Sequence, residues 1–201
     1  MIIKKLVFAT SNSNKVREVQ AILGDIFKIE NLESIGCFEE IPETQPTVKG
    51  NALQKARYVV ENYKVDCFAE DTGFEIDALG GEPGVYSARY AGKERDAEAN
   101  MALVLKKMEG QTNRQARFRT VIALVLDKKE YTFEGVINGV VSTHKKGNNG
   151  FGYDPIFIPD GYSQSFGQID IKEKNGISHR CLLYTSPSPR DLSTSRMPSS
   201  A

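Results

Sequence analysis

The sequence contains no tryptophan, only two histidines and only three cysteines among its 201 residues. Cys37, Cys67 and Cys181 are widely spaced, and two histidines are too few to complete a paired zinc site with them. Scattered, unpaired cysteines are typical of proteins whose thiols stay reduced. We therefore expect a cytoplasmic protein without a zinc site.

An excess of charge of one sign is also absent, because 26 lysines and arginines balance 26 aspartates and glutamates. Without net charge, the chain has no overall field that would attract DNA or an anionic membrane surface. Long apolar runs are missing as well, since the longest, Val121 to Leu126, is far too short to span a bilayer. These absences predict a soluble protein that binds neither nucleic acid nor membranes, so any affinity for phosphate must be local.

The spacing of apolar residues alternates between strand and helix. A buried strand at Lys5 to Ala9 precedes a polar turn and a segment with helical spacing, and Asp96 is placed to cap a later helix. The other predicted elements are a helix over 51–63, a strand over 65–69 and a hairpin formed by 118–126 and 131–136. Helices interleaved with strands, then a hairpin, indicate an α/β fold with a mixed sheet.

Residues 181–201 differ in composition from the rest of the chain. They are rich in serine, proline, threonine and arginine and show neither helical nor strand periodicity. Such a segment cannot contribute to a core. We expect one domain over residues 1–180, followed by an unstructured, non-native tail that resembles a translated cloning adaptor.

The polar turn Thr10 to Lys15, with the sequence TSNSNK, is the first candidate site. It follows a strand and begins a helix, where backbone N–H groups and the positive end of the helix dipole favour a bound phosphate. Lys15 falls in the first helical turn, where a cation is unfavourable unless an anion is bound. The alternative is an ordinary helix cap with a solvated lysine.

Three acidic residues form the second candidate site: Glu43 in PETQPT, and Glu70 with Asp71 in AEDTG. Mg²⁺ prefers oxygen ligands and usually binds one or two carboxylates together with water and substrate phosphates. Glu43 and Asp71 meet that need if the fold brings them together, whereas adjacent strand residues point to opposite faces. The alternative for each acid is a solvated surface residue or a turn former.

The glycine-rich segment GNNGFGYDP, residues 147–155, is the third candidate site. Its glycines let the backbone approach a ligand closely, and Phe151 and Tyr153 offer rings on which a nucleobase could stack. The alternative is a plain loop whose aromatic residues anchor the core.

The polar segment EKNGISHR, residues 173–180, is the fourth candidate site. Lys174, His179 and Arg180 supply three hydrogen-bond donors that could meet a phosphate and the O6 and N7 acceptors of a purine. A structural role for the histidine is the alternative.

Six motifs occur in this chain in an order and approximate spacing that resemble the inosine triphosphate pyrophosphatase family, also called non-standard purine nucleoside triphosphate pyrophosphatases. They are TSNSNK, NALQKA, AEDTG, LGGEPGVYSARYAG, GFGYDPIF and EKNGISHR, and the resemblance extends from Ile2 to about Arg180. Each motif alone is weak, but six in register are highly specific.

The resemblance implies a magnesium-dependent enzyme that cleaves inosine and xanthosine triphosphates, in ribo or deoxy form, to the monophosphate and pyrophosphate. It also implies a mixed α/β fold with a long central sheet flanked by helices, two lobes with a substrate cleft between them, and a homodimer. Family members continue past the His-Arg pair into a closing helix, which the tail at 181–201 replaces here.

The resemblance assigns roles to individual residues as well. Asp71 would be the catalytic base and a magnesium ligand, with Glu43 as the second acid. The residues implied to bind substrate are Thr10, Ser11, Asn12, Ser13, Asn14, Lys15, Thr72, Phe151, Gly152, Tyr153, Asp154, Lys174, His179 and Arg180.

Two rival functions stay open at this point. The Maf-like nucleotide pyrophosphatases share the fold and the chemistry but prefer other bases, and a panel of substrates separates them. A non-catalytic nucleotide-binding module is the second rival, and it would bind inosine triphosphate without magnesium-dependent release of pyrophosphate.

Overall fold

The computed structural model describes residues 4–11, 15–16, 19–20, 27–170 and 173–174. Among these residues are seven strands and two complete α-helices. In chain order they are β1 (Lys4–Phe8), β2 (Phe27–Glu30), α1 (Val48–Tyr63), β3 (Cys67–Ile76), β4 (Pro83–Gly84), α2 (Ala97–Lys107), β5 (Gln115–Leu126), β6 (Lys129–Val141) and β7 (Phe157–Pro159).

All seven strands belong to one mixed sheet, in the order β2-β1-β3-β5-β6-β7, with β4 paired to β3. Strand β1 is parallel to both β2 and β3, whereas β3, β5, β6 and β7 pair antiparallel. The predicted α/β fold with a mixed sheet is therefore confirmed. The two-lobed shape stays a prediction.

The predicted helices are present, with small differences at their ends. Helix α1 begins at Val48 rather than Asn51, because the Thr47 hydroxyl accepts a hydrogen bond from the Gly50 N–H at 3.0 Å and caps the helix earlier. Asp96 caps α2 as expected, accepting hydrogen bonds from the N–H groups of Glu98 and Ala99.

Strand β3 differs most from its prediction. The sequence pattern predicts a strand over 65–69 that ends before the acidic pair, but β3 continues through Glu70 and Asp71 to Ile76. It extends so far because β5 pairs with it along its whole length, so cross-strand pairing overrides the weak local preference of acidic residues and glycine for a strand.

One edge of β3 has an opening between two neighbours. Strand β5 pairs with the other edge of β3 along its whole length. On this edge β1 pairs with Cys67 and Phe68, and β4 pairs with Phe74 and Glu75. Within the described residues, no strand pairs with this edge between Phe68 and Phe74. The acidic pair and Thr72 therefore lie at an opening in the sheet.

Two hydrophobic cores lie on either side of this opening along β3. The first packs α1 against the start of β3 and includes Ala52, Ala56 and Ala69. The second surrounds the end of β3 and includes a group of packed aromatic rings, with Phe74 and Phe157 fully buried. The two cores fix both ends of β3 and hold the open stretch between them in place.

Some predictions fall partly or wholly outside the described residues. Of the helix expected after the polar turn, Lys15, Val16, Val19 and Gln20 are helical and the rest is not described. The segment at 181–201 is likewise outside the described part of the chain. The helices found within the described part are all too short or too polar to cross a bilayer.

Phe74 allows a test of the aromatic core. Its ring lies 4.8 Å from the rings of both Phe118 and Tyr153, measured between centroids. We expect Phe74→Ala to lower the free energy of unfolding by about 3 to 5 kcal/mol, because it removes a buried ring and leaves a cavity. Phe38→Ala, at a ring that is 80% exposed, should change it by less than about 0.5 kcal/mol. Urea unfolding measures both, and similar losses in the two variants would contradict this account of the core.

Candidate active site

Lys55 brings two of the predicted acidic residues together. It lies on the buried face of α1, and its Nζ is 2.5 Å from Oε1 of Glu43 and 3.5 Å from Oδ1 of Asp71. The three side chains come from the segment before α1, from α1 itself and from β3. One buried ammonium therefore holds two carboxylates side by side at the opening in the sheet.

Local hydrogen bonds fix the positions of these groups. The backbone N–H groups of Thr44 and Gln45 donate to the side chains of Gln54 and Asn51, each at 2.9 Å, and so tie the segment carrying Glu43 to α1. Gly73 allows α1 to lie close to β3, since a Cβ there would be only 2.9 Å from a methyl group of Val48. The segment carrying Glu43, helix α1 and strand β3 are thus fixed relative to one another, and the two carboxylates and the ammonium with them.

The two carboxylates differ in their affinity for a proton. Burial alone would raise the pKa of Glu43, but Lys55, Arg89 and Arg95 outweigh it and hold the pKa below its ordinary value. For Asp71 burial is the largest influence and raises the pKa, and the charge of Glu43 adds to the rise, while Lys55 only partly offsets it. The surroundings therefore favour the ionised form of Glu43 and make Asp71 a stronger base than an ordinary aspartate.

A second ion pair lies on the opposite face of β3. Nζ of Lys15 is 2.6 Å from Oε1 of Glu70, whose side chain is almost fully buried. The alternation of a strand explains the division, because Asp71 faces α1 whereas Glu70 faces the helical segment that contains Lys15. Adjacent residues of β3 therefore contact the two lysines: Glu70 pairs with Lys15 at the end of the polar turn, and Asp71 pairs with Lys55 on α1.

Thr72 continues this second face. Its hydroxyl lies 2.7 Å from that of Thr120 on β5. The backbone N–H of Phe74 donates to the Ser87 hydroxyl and the carbonyl of Phe68 accepts from Ala9 on the same edge of β3. By alternation the N–H of Thr72 points to that edge as well, into the opening.

The glycine-rich segment and Lys174 meet in a third cluster. Nζ of Lys174 lies 2.5 Å from Oδ2 of Asp154, and the same oxygen accepts a hydrogen bond from the backbone N–H of Phe151 at 2.7 Å. The ammonium also lies 4.9 Å from the centre of the Phe151 ring, which is 63% exposed. The largely exposed ring of Phe151 thus lies against a cation that Asp154 holds in place.

Tyr153 is placed differently from Phe151. Its ring stacks on Phe74 and is buried, and its hydroxyl donates to the backbone carbonyl of Ser87 at 2.7 Å. Burial in this position raises the pKa of the phenol. The ring is part of the aromatic core, so of the two predicted rings Tyr153 is buried and Phe151 is exposed.

The remaining predicted site residues are described in part. Thr10 and Ser11 lie just after β1, one residue beyond its end, and Gly152 has a left-handed backbone with φ of 60°. Asn12, Ser13, Asn14, His179 and Arg180 lie outside the described residues, so their predicted contacts with substrate stay predictions.

The sequence interpretation missed Lys55, although a signal for it exists. Lys55 lies between Ala52, Ala56 and Val59 on the apolar face of α1, where a lysine is unexpected unless it has a partner. A charged residue on the buried face of an otherwise amphipathic helix would have drawn attention to it. For Glu70 the sequence suggests either a metal ligand or a solvated surface residue, whereas the structure buries it in an ion pair with Lys15.

The carboxylates of Glu43 and Asp71 are suited to a divalent cation such as Mg²⁺ that also binds oxygen atoms of a substrate. Within the described ranges, no group of three or more histidine, cysteine, aspartate or glutamate side chains could enclose a metal ion. Two adjacent carboxylates are, however, what Mg²⁺ commonly uses when water and phosphate oxygens complete its shell. Glu43 and Asp71 are therefore suited to a shared ion and not to a closed protein cage.

The chain is similar to known proteins over most of its length. The profile of the Ham1 family matches residues 6–182. A dITP/XTP pyrophosphatase of Flavobacterium johnsoniae is 52% identical over 88% of this chain and 92% of its own length, and one of Flavobacterium psychrophilum is 51% identical over 88% and 93%. The structure of the Staphylococcus aureus Ham1 protein, 33% identical, superposes with a TM-score of 0.86 over 96% of this chain and all of its own.

The raised pKa of Asp71 predicts a stability that depends on pH. Because the folded protein holds this proton more tightly than the unfolded chain does, ionised Asp71 destabilises the fold above its folded pKa. That destabilisation disappears as the pH falls through the folded pKa toward the ordinary value of 3.8. Asp71→Asn should therefore raise the thermal midpoint at pH 8, by an amount that shrinks on acidification. Exposed Asp160 provides the control, and an Asp71→Asn midpoint at pH 8 no higher than that of the unmodified protein would refute the prediction.

Proposed function

The chain belongs to the Ham1 family, and on that premise we propose that it hydrolyses non-standard purine nucleoside triphosphates, such as those of inosine and xanthosine, to the monophosphate and pyrophosphate. The two Flavobacterium relatives are named as dITP/XTP pyrophosphatases. The observation that supports the proposal most directly is the Lys55 ammonium between Glu43 and Asp71 at the opening in the sheet.

Asp71 is assigned as the general base. A carboxylate whose pKa is raised by burial accepts a proton from water more readily than an exposed one does. In this scheme Asp71 orients and deprotonates the water that attacks the α-phosphorus, the bond to the bridging oxygen breaks, and pyrophosphate leaves. No covalent intermediate with the protein is needed.

Glu43 and Asp71 would hold the Mg²⁺ ion. When bound there, the ion would neutralise charge on the triphosphate and polarise its phosphoryl oxygens. Lys55 and Lys15, on the two faces of β3, would contact phosphate oxygens from opposite sides. The turn from Thr10 to Lys15 and the N–H of Thr72 would supply further donors to the same groups.

The base and sugar are assigned to the third cluster. Phe151 offers an exposed ring on which a purine could stack, and Lys174 beside it is fixed by Asp154. The backbone of Gly152 and Tyr153 would lie along the base, while His179 and Arg180 would contact its acceptors. These roles rest on the family resemblance and on the position of the cluster beside the aromatic core.

Selection against adenine follows from hydrogen-bond polarity. Backbone N–H groups and Arg180 facing position 6 would donate hydrogen bonds to the carbonyl oxygen of hypoxanthine or xanthine, whereas adenine presents an amino donor there. Two donors facing each other are both left unsatisfied. Two further predictions accompany this proposal: a homodimer, from the family resemblance, and a cytoplasmic location, from the scattered, unpaired cysteines.

A panel of nucleotides tests the proposed function. We expect magnesium-dependent release of pyrophosphate from inosine and xanthosine triphosphates and their deoxy forms, with kcat/KM for ATP lower by about tenfold or more. Preference for another base would favour the Maf-like alternative. Binding of inosine triphosphate without release of pyrophosphate would favour a non-catalytic module.

The role of Asp71 is tested by the Asp71→Asn variant in the same assay. Loss of a general base should lower kcat by about 10² to 10⁴ fold, with a much smaller effect on KM. Asp160→Asn serves as a control at an exposed aspartate. Turnover of Asp71→Asn within a few fold of the control would remove Asp71 from the mechanism.

A further inference from the structure

We propose that the Lys55 ammonium takes the place of the divalent ion in the nucleotide-free protein, so that the ion binds the empty site weakly and enters together with the triphosphate. This inference rests on the proposed function and specifies the order in which its components bind. It assigns to Lys55 a role toward the metal that is separate from any contact with substrate.

The geometry of the ammonium is that of a bridging cation. Nζ lies between Oε1 of Glu43, at 2.5 Å, and Oδ1 of Asp71, at 3.5 Å. These are the same two carboxylates that are suited to a shared Mg²⁺ ion. An ion and a protonated amine cannot both occupy the space between them, because their charges repel and their ligands are the same oxygens.

The surrounding charges add to this effect. Nη1 of Arg89 is 3.8 Å from Oε2 of Glu43, and the charge of Arg95 acts on the same carboxylate. The negative charge of Glu43 and Asp71 is therefore already compensated by nearby cations. In the described part of the chain, no third acidic ligand is present to strengthen the attraction for a dication.

A triphosphate reverses this balance. Its oxygens add several negative charges to the opening and supply the additional ligands that Mg²⁺ requires. They also give the Lys55 ammonium a new partner, so that it can leave the carboxylates without remaining buried and unpaired. The ion and the ammonium then occupy different positions around the same substrate.

The simpler explanation is that Lys55 forms a structural salt bridge. In that case its removal would loosen Glu43 and Asp71 and would leave divalent-ion affinity unchanged or weaker. If Lys55 competes with the ion, its removal must strengthen the binding of the ion to the empty protein. The two explanations therefore predict different results: tighter binding of the ion if Lys55 competes with it, and unchanged or weaker binding if Lys55 is only structural.

Titration of nucleotide-free protein with Mn²⁺, followed by electron paramagnetic resonance of the free ion, measures this directly. We expect Lys55→Met to bind Mn²⁺ more tightly than the unmodified protein by about tenfold or more, because a positive charge between the two ligands is removed. Lys49→Met is the matched control: Lys49 is an exposed lysine on the same helix, and its removal should leave the affinity unchanged.

Lys55→Gln provides a second variant in case Lys55→Met does not fold, since the neutral amide can still donate a hydrogen bond to a carboxylate. It should also bind Mn²⁺ more tightly, and addition of Mn²⁺ should raise its thermal midpoint more than that of the unmodified protein. Unchanged or weaker Mn²⁺ affinity in a folded Lys55 variant would overturn the proposal. Because the titration contains no nucleotide, its outcome is separate from a failure of the nucleotide panel.

Discussion

A buried ammonium between two carboxylates is the interaction on which the candidate site depends. Lys55 reaches Glu43 and Asp71 from a helix that packs closely on the central strand, and the backbone of the segment before that helix is tied to it by side-chain amides. Two adjacent carboxylates repel each other, and the charge of one raises the pKa of the other. The ammonium offsets this repulsion, and burial still keeps the pKa of Asp71 above its ordinary value.

The sheet determines where this chemistry can take place. Strand β3 has a complete partner on one edge, and on the other edge the described residues supply two separate partners. Among those residues, no strand pairs with the stretch around Asp71 on that edge, while both ends of β3 are anchored in hydrophobic cores. Alternation along the strand then places Asp71 with Lys55 on one face and Glu70 with Lys15 on the other. A ligand at the opening can be contacted from both faces, which suits an extended anion such as a triphosphate.

The sequence predicted the fold class and the family because strand and helix periods, capping residues and six ordered motifs are local features. It did not predict the full length of β3, since pairing with β5 is a long-range effect that overrides the local preferences of Glu70, Asp71 and Gly73. Lys55 was missed because a charge on an apolar helix face shows its partner only in three dimensions. Tyr153 was expected to be an open ring and is buried, because composition does not distinguish an aromatic residue of the core from one that faces a ligand.

The central claim is that this carboxylate and lysine centre directs water to the α-phosphorus. Hydrolysis of inosine triphosphate in water enriched in ¹⁸O, followed by mass spectrometry of both products, tests it most directly. If water attacks the α-phosphorus, the label appears in the monophosphate and the pyrophosphate remains unlabelled. Label in the pyrophosphate would show attack at the β-phosphorus and would contradict the assignment of the centre.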